Sequence, residues 1–184
     1  MRIIAGTARG RRIDAPQGDN TRPTHDRVRE AVFSMIGPYF DGGRALDLFA
    51  GSGSLGLEAI SRGVDECIFC DADRRAIAVI QNNIKTLGME KQARVHCVKF
   101  QQALDTVSGK FDLIFLDPPY DLGYMEPVLA KIVERDLLSD DGIVFCEIRA
   151  GAAFEAPAGL TEVKHKKYGM AEVVILEKAK GEGE

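Results

Sequence analysis

The chain has 184 residues, 45% of them apolar, and a formal net charge of −4. That length and apolar content suit one globular domain with a small appendage, and no run of about 18 apolar residues offers a membrane-spanning helix. The opening MRIIAGTARGRR lacks the apolar stretch of a signal peptide, so a cytoplasmic location is expected.

The net charge hides an asymmetry. Residues 1–29 hold seven arginines and no lysine against three aspartates, a net of +4, and the rest of the chain carries −8. An arginine-rich segment on an acidic body is a candidate footprint for a polyanion, because the planar guanidinium fork suits phosphate. The bland alternative is an ordinary solvated face. RIIAG (2–6) and GRRIDA (10–15) read as a short hairpin around Thr7–Arg9, followed by a loop, PQGDNTRP (16–23). Arg9, Arg11, Arg12, Arg22 and Arg27 are the candidate phosphate contacts. A helix is expected from Thr24 as N-cap, with Asp26 in its first turn complementing the dipole. Val28, Ala31, Val32, Met35 and Ile36 form one apolar stripe, and Gly37-Pro38 ends it.

From Arg44 the pattern alternates. The expected strands are 44–50, 66–72, 93–99, 111–117 and 142–148, and the helices between them are 54–63, 74–88, 101–107 and 123–138. Apolar strands alternating with helices imply βαβ units, an α/β fold and a mostly parallel, doubly wound sheet with helices on both faces. The end departs from this rule. LTEVKHKKYG (160–169) and AEVVILEK (171–178) are strands with almost nothing between them, hence an antiparallel hairpin, and a polar tail follows.

Cys67 and Cys70 form a C-x-x-C inside ECIFC, but no second pair or His–Cys cluster completes four zinc ligands. The four cysteines, with Cys97 and Cys146, are expected to be buried thiols, and no metal is expected.

DLFAGSGSLGLE (47–58) lies between the first parallel strand and its helix, and Gly51, Gly53 and Gly56 match G-x-G-x-x-G. Ligands of open α/β sheets sit outside the carboxyl ends of the strands, near the topological switch point. The second strand ends at Asp71, where a carboxylate can accept two hydrogen bonds from a ribose diol; Asp73 is expected to cap the next helix. The ligand is therefore adenosine-like, a dinucleotide or S-adenosylmethionine. Asp47 favours the second, since it could receive the amino group of a methionine moiety. Phe49, Ala50 and Ser52 of the loop, and Ala72 beside Asp71, complete the candidate donor site.

The fourth strand, FDLIFLD, should lie beside the first and stops at DPPY, residues 117–120. Pro118 and Pro119 hold backbone carbonyls toward the cleft. With the Asp117 carboxylate they can accept both hydrogens of an exocyclic NH₂ and aim its lone pair at a sulfonium methyl. Tyr120 offers a face on which a base can stack.

At this point the sequence resembles the class I S-adenosylmethionine-dependent methyltransferases. More narrowly, it is similar to the bacterial family that methylates the exocyclic N2 of a guanine in small-subunit (16S) ribosomal RNA. The marks are RIIAG, GRR, TRPTHDRVREAVFSMI, DLFAGSGSLGLEA, the pair Asp71 and Asn83, IFLDPPY and KKYGMAEVVIL. The resemblance implies a Rossmann-like seven-stranded sheet with the last strand antiparallel. It also implies a basic RNA-holding arm over 1–23 ahead of a methyltransferase domain over 24–184. S-adenosyl-L-methionine is the implied cofactor. The implied partner is 16S ribosomal RNA or a small-subunit ribonucleoprotein particle; separately, a monomer with no membrane partner is expected. Two positions depart from the family pattern: His25 stands where Ser or Thr is usual, and Lys99-Phe100 replace an adenine-binding Asp or Asn. Packing against Phe100 and a backbone N–H would then hold the adenine. The rivals are methylation of adenine N6, an NAD(P)-linked oxidoreductase, and a catalytically silent assembly factor. His96 and His165 are expected to be structural or surface residues, because a methylated amine can lose its proton to water or Asp117.

Overall fold

The computed structural model describes residues 1–18 and 23–181. Seven strands form one sheet: β1 (Arg44–Asp47), β2 (Glu66–Asp71), β3 (Ala93–Cys97), β4 (Phe111–Leu116), β5 (Leu138–Arg149), β6 (Leu160–Tyr168) and β7 (Ala171–Lys178). Their order is β3-β2-β1-β4-β5-β7-β6. The first five run parallel, and β7 is antiparallel to both β5 and β6. The expected α/β class, doubly wound sheet and antiparallel ending are all present. β1 pairs with β2 on one side and β4 on the other, so the switch point falls between β1 and β4.

Alternation along the strands divides the core. Cys67 and Phe69 of β2 face one apolar layer, with Val32, Phe33, Leu57 and Ile80. Ile68 and Cys70 face the other, with Phe100, Leu104, Leu129 and Ile132. Helices α1 (Pro23–Ile36), α2 (Ser54–Ser61) and α3 (Arg74–Leu87) cover the first face, and α4 (Phe100–Thr106) and α5 (Met125–Glu134) the second. The same alternation disposes of the C-x-x-C: a three-residue spacing in a strand sends the two thiols to opposite faces. Burial pushes the Cys67 thiol well up and Cys70 up to about 12. Cys146 is buried too, but Cys97 is exposed, contrary to expectation.

Several boundaries shift. α1 begins at Pro23 rather than after a Thr24 cap, a position where the missing N–H of proline costs nothing. β1 stops at Asp47, because the glycine loop starts there. α5 is shorter at both ends than expected, a short 3₁₀ turn (Tyr120–Leu122) precedes it, and β5 begins four residues early. Asp73 caps α3, its Oδ1 accepting the Arg75 N–H at 2.8 Å.

The N-terminal segment holds one antiparallel bridge, Arg2 with Arg12, in place of two full strands. Its stability comes from the body. Ile3, Ala8 and Ile13 are buried in the α1–α3 layer. The Glu58 carboxylate, fully buried, accepts the N–H groups of Ile4 at 2.9 Å and Ala5 at 3.0 Å. Arg62 at 2.8 Å and Arg29 at 3.4 Å balance its charge. Asn83, buried, accepts from Asp14 N–H and donates to the carbonyls of Asp14 and Ser52.

Candidate active site

The expected donor side is the turn after β1. Gly53 closes it at φ 78° and begins α2. A Cβ on Gly56 would lie 2.4 Å from the Phe69 ring and 2.6 Å from Cys67 Sγ, so only glycine lets α2 lie this close to β2. A Cβ on Gly51 would instead meet open space, which leaves that backbone free to be approached by a ligand. Two strand-end acids hold the loop from inside. Asp71 accepts the Gly51 N–H at 2.9 Å and the Asp73 N–H at 2.9 Å. Asp47, buried, accepts the Gly56 N–H at 3.1 Å. Burial raises the Asp47 carboxyl to about 7; the Gly56 bond opposes the rise and the nearby Asp71 charge adds to it. Ala50 and Ser52 are buried, Phe49 is half-buried and Ala72 is exposed.

Phe49 meets Phe100 with ring centroids 5.6 Å apart, and Phe100 meets Tyr124 at 4.8 Å. Phe100 and Tyr124 thus make an aromatic corner at the carboxyl ends of the strands. Lys99 precedes α4, outside this corner. Nothing in the local sequence marked Tyr124, which reaches the corner only through the turn after β4.

The expected acceptor side is the DPPY turn. A cavity of about 380 Å³ is lined there by Asp117, Tyr120, Glu147, Arg29, Ser54 and Met170, among others. Pro118 is buried, while Asp117 and Pro119 are exposed. The Tyr120 hydroxyl donates to Glu147 Oε1 at 2.7 Å. Its ring is 43% exposed, and the Arg149 guanidinium lies 5.8 Å from the ring centroid. Burial first, then the Glu147 bond, push the Tyr120 hydroxyl well up, so it stays protonated through the neutral range. Glu147 comes from β5 and Met170 from the β6–β7 turn, and neither was singled out from sequence.

The arginines separate. Arg9 and Arg27 line one cleft of about 500 Å³ together with Arg2, beside Asp26 and Glu30. Arg12 is exposed. Arg11 reaches across to the carbonyls of Thr86 and Leu87 at the end of α3, so much of its hydrogen-bonding capacity is already used. Arg22 lies outside the described residues. His96 and His165 are both exposed, and His165 sits between Glu162 and Glu172.

The family model described as "Conserved hypothetical protein 95" matches residues 1–177. The YlbH protein of Bacillus subtilis (strain 168) is 43% identical over 97% of this chain and 99% of its own length. The "Ribosomal RNA small subunit methyltransferase D" of Haemophilus influenzae is 33% identical over 92% of this chain and 90% of its own. Among solved structures, the Escherichia coli yhhF protein superposes with a TM-score of 0.85 at 30% identity, covering 97% of both chains.

Proposed function

The chain belongs to the family described as conserved hypothetical protein 95, and on that premise we propose that it transfers a methyl group from S-adenosylmethionine to the exocyclic N2 amine of a guanine in small-subunit ribosomal RNA. The observation that carries the reading is the shared wall of the two sites. Ser54 and Leu55, at the start of the helix that the glycine loop feeds, line the same cavity as Asp117 and Tyr120.

The residues present fit the donor. Asp71 retains acceptor capacity for a diol beyond its two backbone bonds, since a carboxylate offers about four lone-pair sites. Asp47 offers a carboxylate to an ammonium, Gly51 leaves room for close approach, and Phe49 with Phe100 offers apolar faces to an adenine. Bound there, S-adenosylmethionine would supply an electrophilic methyl group. Asp117 accepts hydrogen bonds from the amine, orients its lone pair and faces the positive charge that develops on nitrogen. The same carboxylate or water then receives the surplus proton. Tyr120 stacks on the extruded base. Guanine presents adjacent N1–H and N2–H donors, which match carboxylates better than the acceptor–donor edge of adenine does.

The arm over 1–23 supplies phosphate contacts through Arg9 and Arg12, assisted by Arg2 and by Arg27 of α1, and residues 24–184 carry the chemistry as a monomer. Nucleoside mass spectrometry of 16S ribosomal RNA treated with enzyme and donor tests the reading. N2-methylguanine is the expected product, and N6-methyladenine or no methylated nucleoside would overturn it.

A further inference from the structure

The cavity beside DPPY has a wall that the donor loop and the arginine-rich arm do not provide. Tyr168, Gly169, Met170 and Ala171, the turn of the β6–β7 hairpin, line it together with Val28, Arg29 and Val32 of α1. β6 is one of the two edge strands of the sheet, and residues 161–167 are all exposed. α1 lies along it: Lys164 Nζ donates to the Met35 carbonyl at the end of α1 at 3.0 Å, while Tyr168 shares the cavity with Val28 near its start.

Register sorts the lysines of this strand. Lys166 pairs with Val173 and Lys164 with Ile175, and both valine and isoleucine belong to the α1–α3 layer. Lys166 therefore stands on the cavity face, in line with Tyr168. Lys167 pairs with Glu172 on the opposite face, where Glu172 and His165 already bond at 2.7 Å. At the tip, Met170 is 82% exposed, the most exposed of the large apolar side chains. Arg27, the residue before Val28, is exposed and lines the neighbouring basic cleft with Arg2 and Arg9.

An edge strand rich in lysine has a plain explanation, since charge there blocks pairing with other sheets. That explanation treats Lys166 and Lys167 alike, and it gives no reason for a methionine left 82% exposed at the hairpin tip that lines the cavity. We propose that the β6–β7 hairpin is a second RNA-contacting wall, with Lys166 meeting a phosphate next to the target nucleotide and Met170 filling the gap left in the base stack when that nucleotide enters the cavity. Apolar wedges of this type hold bases apart in other nucleic-acid complexes. Extrusion also removes a stacking partner that a polarizable thioether can replace. The inference rests on the reading that the substrate is RNA.

The test uses the full chain with a fluorescent single-stranded RNA 20-mer for affinity and transcribed 16S ribosomal RNA for single-turnover methylation. Lys166→Ala should reduce the log–log salt slope of RNA affinity by about 0.7–0.9, the value of one phosphate contact, and Lys167→Ala should leave it unchanged. Met170→Ala should lower the single-turnover rate on the order of tenfold, comparable to losing a weak stacking contact, without moving the slope. S-adenosylhomocysteine affinity, measured by titration calorimetry, should be the same in all three and reports that each variant is folded. Equal slopes for Lys166→Ala and Lys167→Ala, or lysine variants that only self-associate in sedimentation, would show edge protection alone and overturn the proposal. Wild-type rates in Met170→Ala would overturn the wedge. A wild-type protein that methylates no RNA would instead overturn the methyltransferase reading beneath.

Discussion

On the donor side of the cleft the backbone is held from within, and on the acceptor side it is held from the rim. Gly51 and Gly56 give their N–H groups to Asp71 and Asp47, and Ser52 gives its carbonyl to buried Asn83. The DPPY turn is steadied from β5 by Glu147 on Tyr120 and by an Arg149–Asp121 pair at 2.9 Å whose side chains are 55% and 75% exposed. Exposed pairs of this type contribute about 0–1 kcal/mol, whereas leaving a buried backbone donor unpaired costs about 1–3 kcal/mol. The difference teaches that the two substrates meet different surfaces. On the function proposed, a small donor of fixed shape would be met by a backbone already held in place, and a large polymer by a turn that can adjust at little cost.

The strongest way to break this comparison is at Asp117. Asp117→Ala should lower kcat on the order of 10²–10³-fold with a much smaller effect on KM, since the interaction strengthens as charge develops on nitrogen. A wild-type single-turnover rate in that variant would make DPPY only a turn. Next is Asp71→Ala, which should weaken donor binding by up to about 1.5–3 kcal/mol for each charge-assisted bond lost. Titration calorimetry with S-adenosylhomocysteine checks it, and RNA affinity should hold.

Asp47 sharpens the comparison through pH. Its carboxyl lies at about 7 in the fold against an ordinary 3.8, so the native state holds this proton more tightly than the unfolded chain. Its contribution to stability is therefore full below about 4 and lost as pH rises through about 7. An ammonium prefers the carboxylate, so donor affinity should rise from pH 5.5 to 7.5, by at most about tenfold per unit below 7, with proton uptake into buffer. Asp47→Asn should flatten that rise, and a wild-type affinity independent of pH in this range would remove Asp47 from the ammonium site. The smallest effect is expected at the rim. Tyr120→Phe keeps the ring and loses one hydrogen bond to Glu147, so single-turnover rate should fall by only about two- to tenfold, about 0.5–1.4 kcal/mol. A Tyr120→Phe loss as large as that of Asp117→Ala would mean that the rim is as rigid as the donor loop.

What could be read from sequence followed the same division. The glycine loop, the acids at strand ends and the DPPY break are written in neighbouring residues, and so were the alternation of strands and helices and the terminal hairpin. Glu147, Met170 and Tyr124 were not legible, because each reaches the cleft only through the packing of a distant element. Arg11 shows the converse. Its charge suggested phosphate, but the carbonyls it meets belong to a helix end more than seventy residues away. The hairpin at the start was over-read for a related reason. Its strands lack enough pairing of their own, and Glu58 and Asn83 supply what a ladder would.

Asn83 also ties events in time. It bonds Asp14, 69 residues earlier, and the carbonyl of Ser52 in the glycine loop. At roughly 5–20 residues per second of synthesis, Asp14 waits about 3–14 s for this partner to be made. Glu58 and Ser61 can hold Ile4, Ala5 and Ala8 sooner, so the segment is fastened in two stages, with its Asp14 end last. The last stage brings in the same side chain that holds the Ser52 carbonyl, so the end of the basic segment and the glycine loop gain this anchor together.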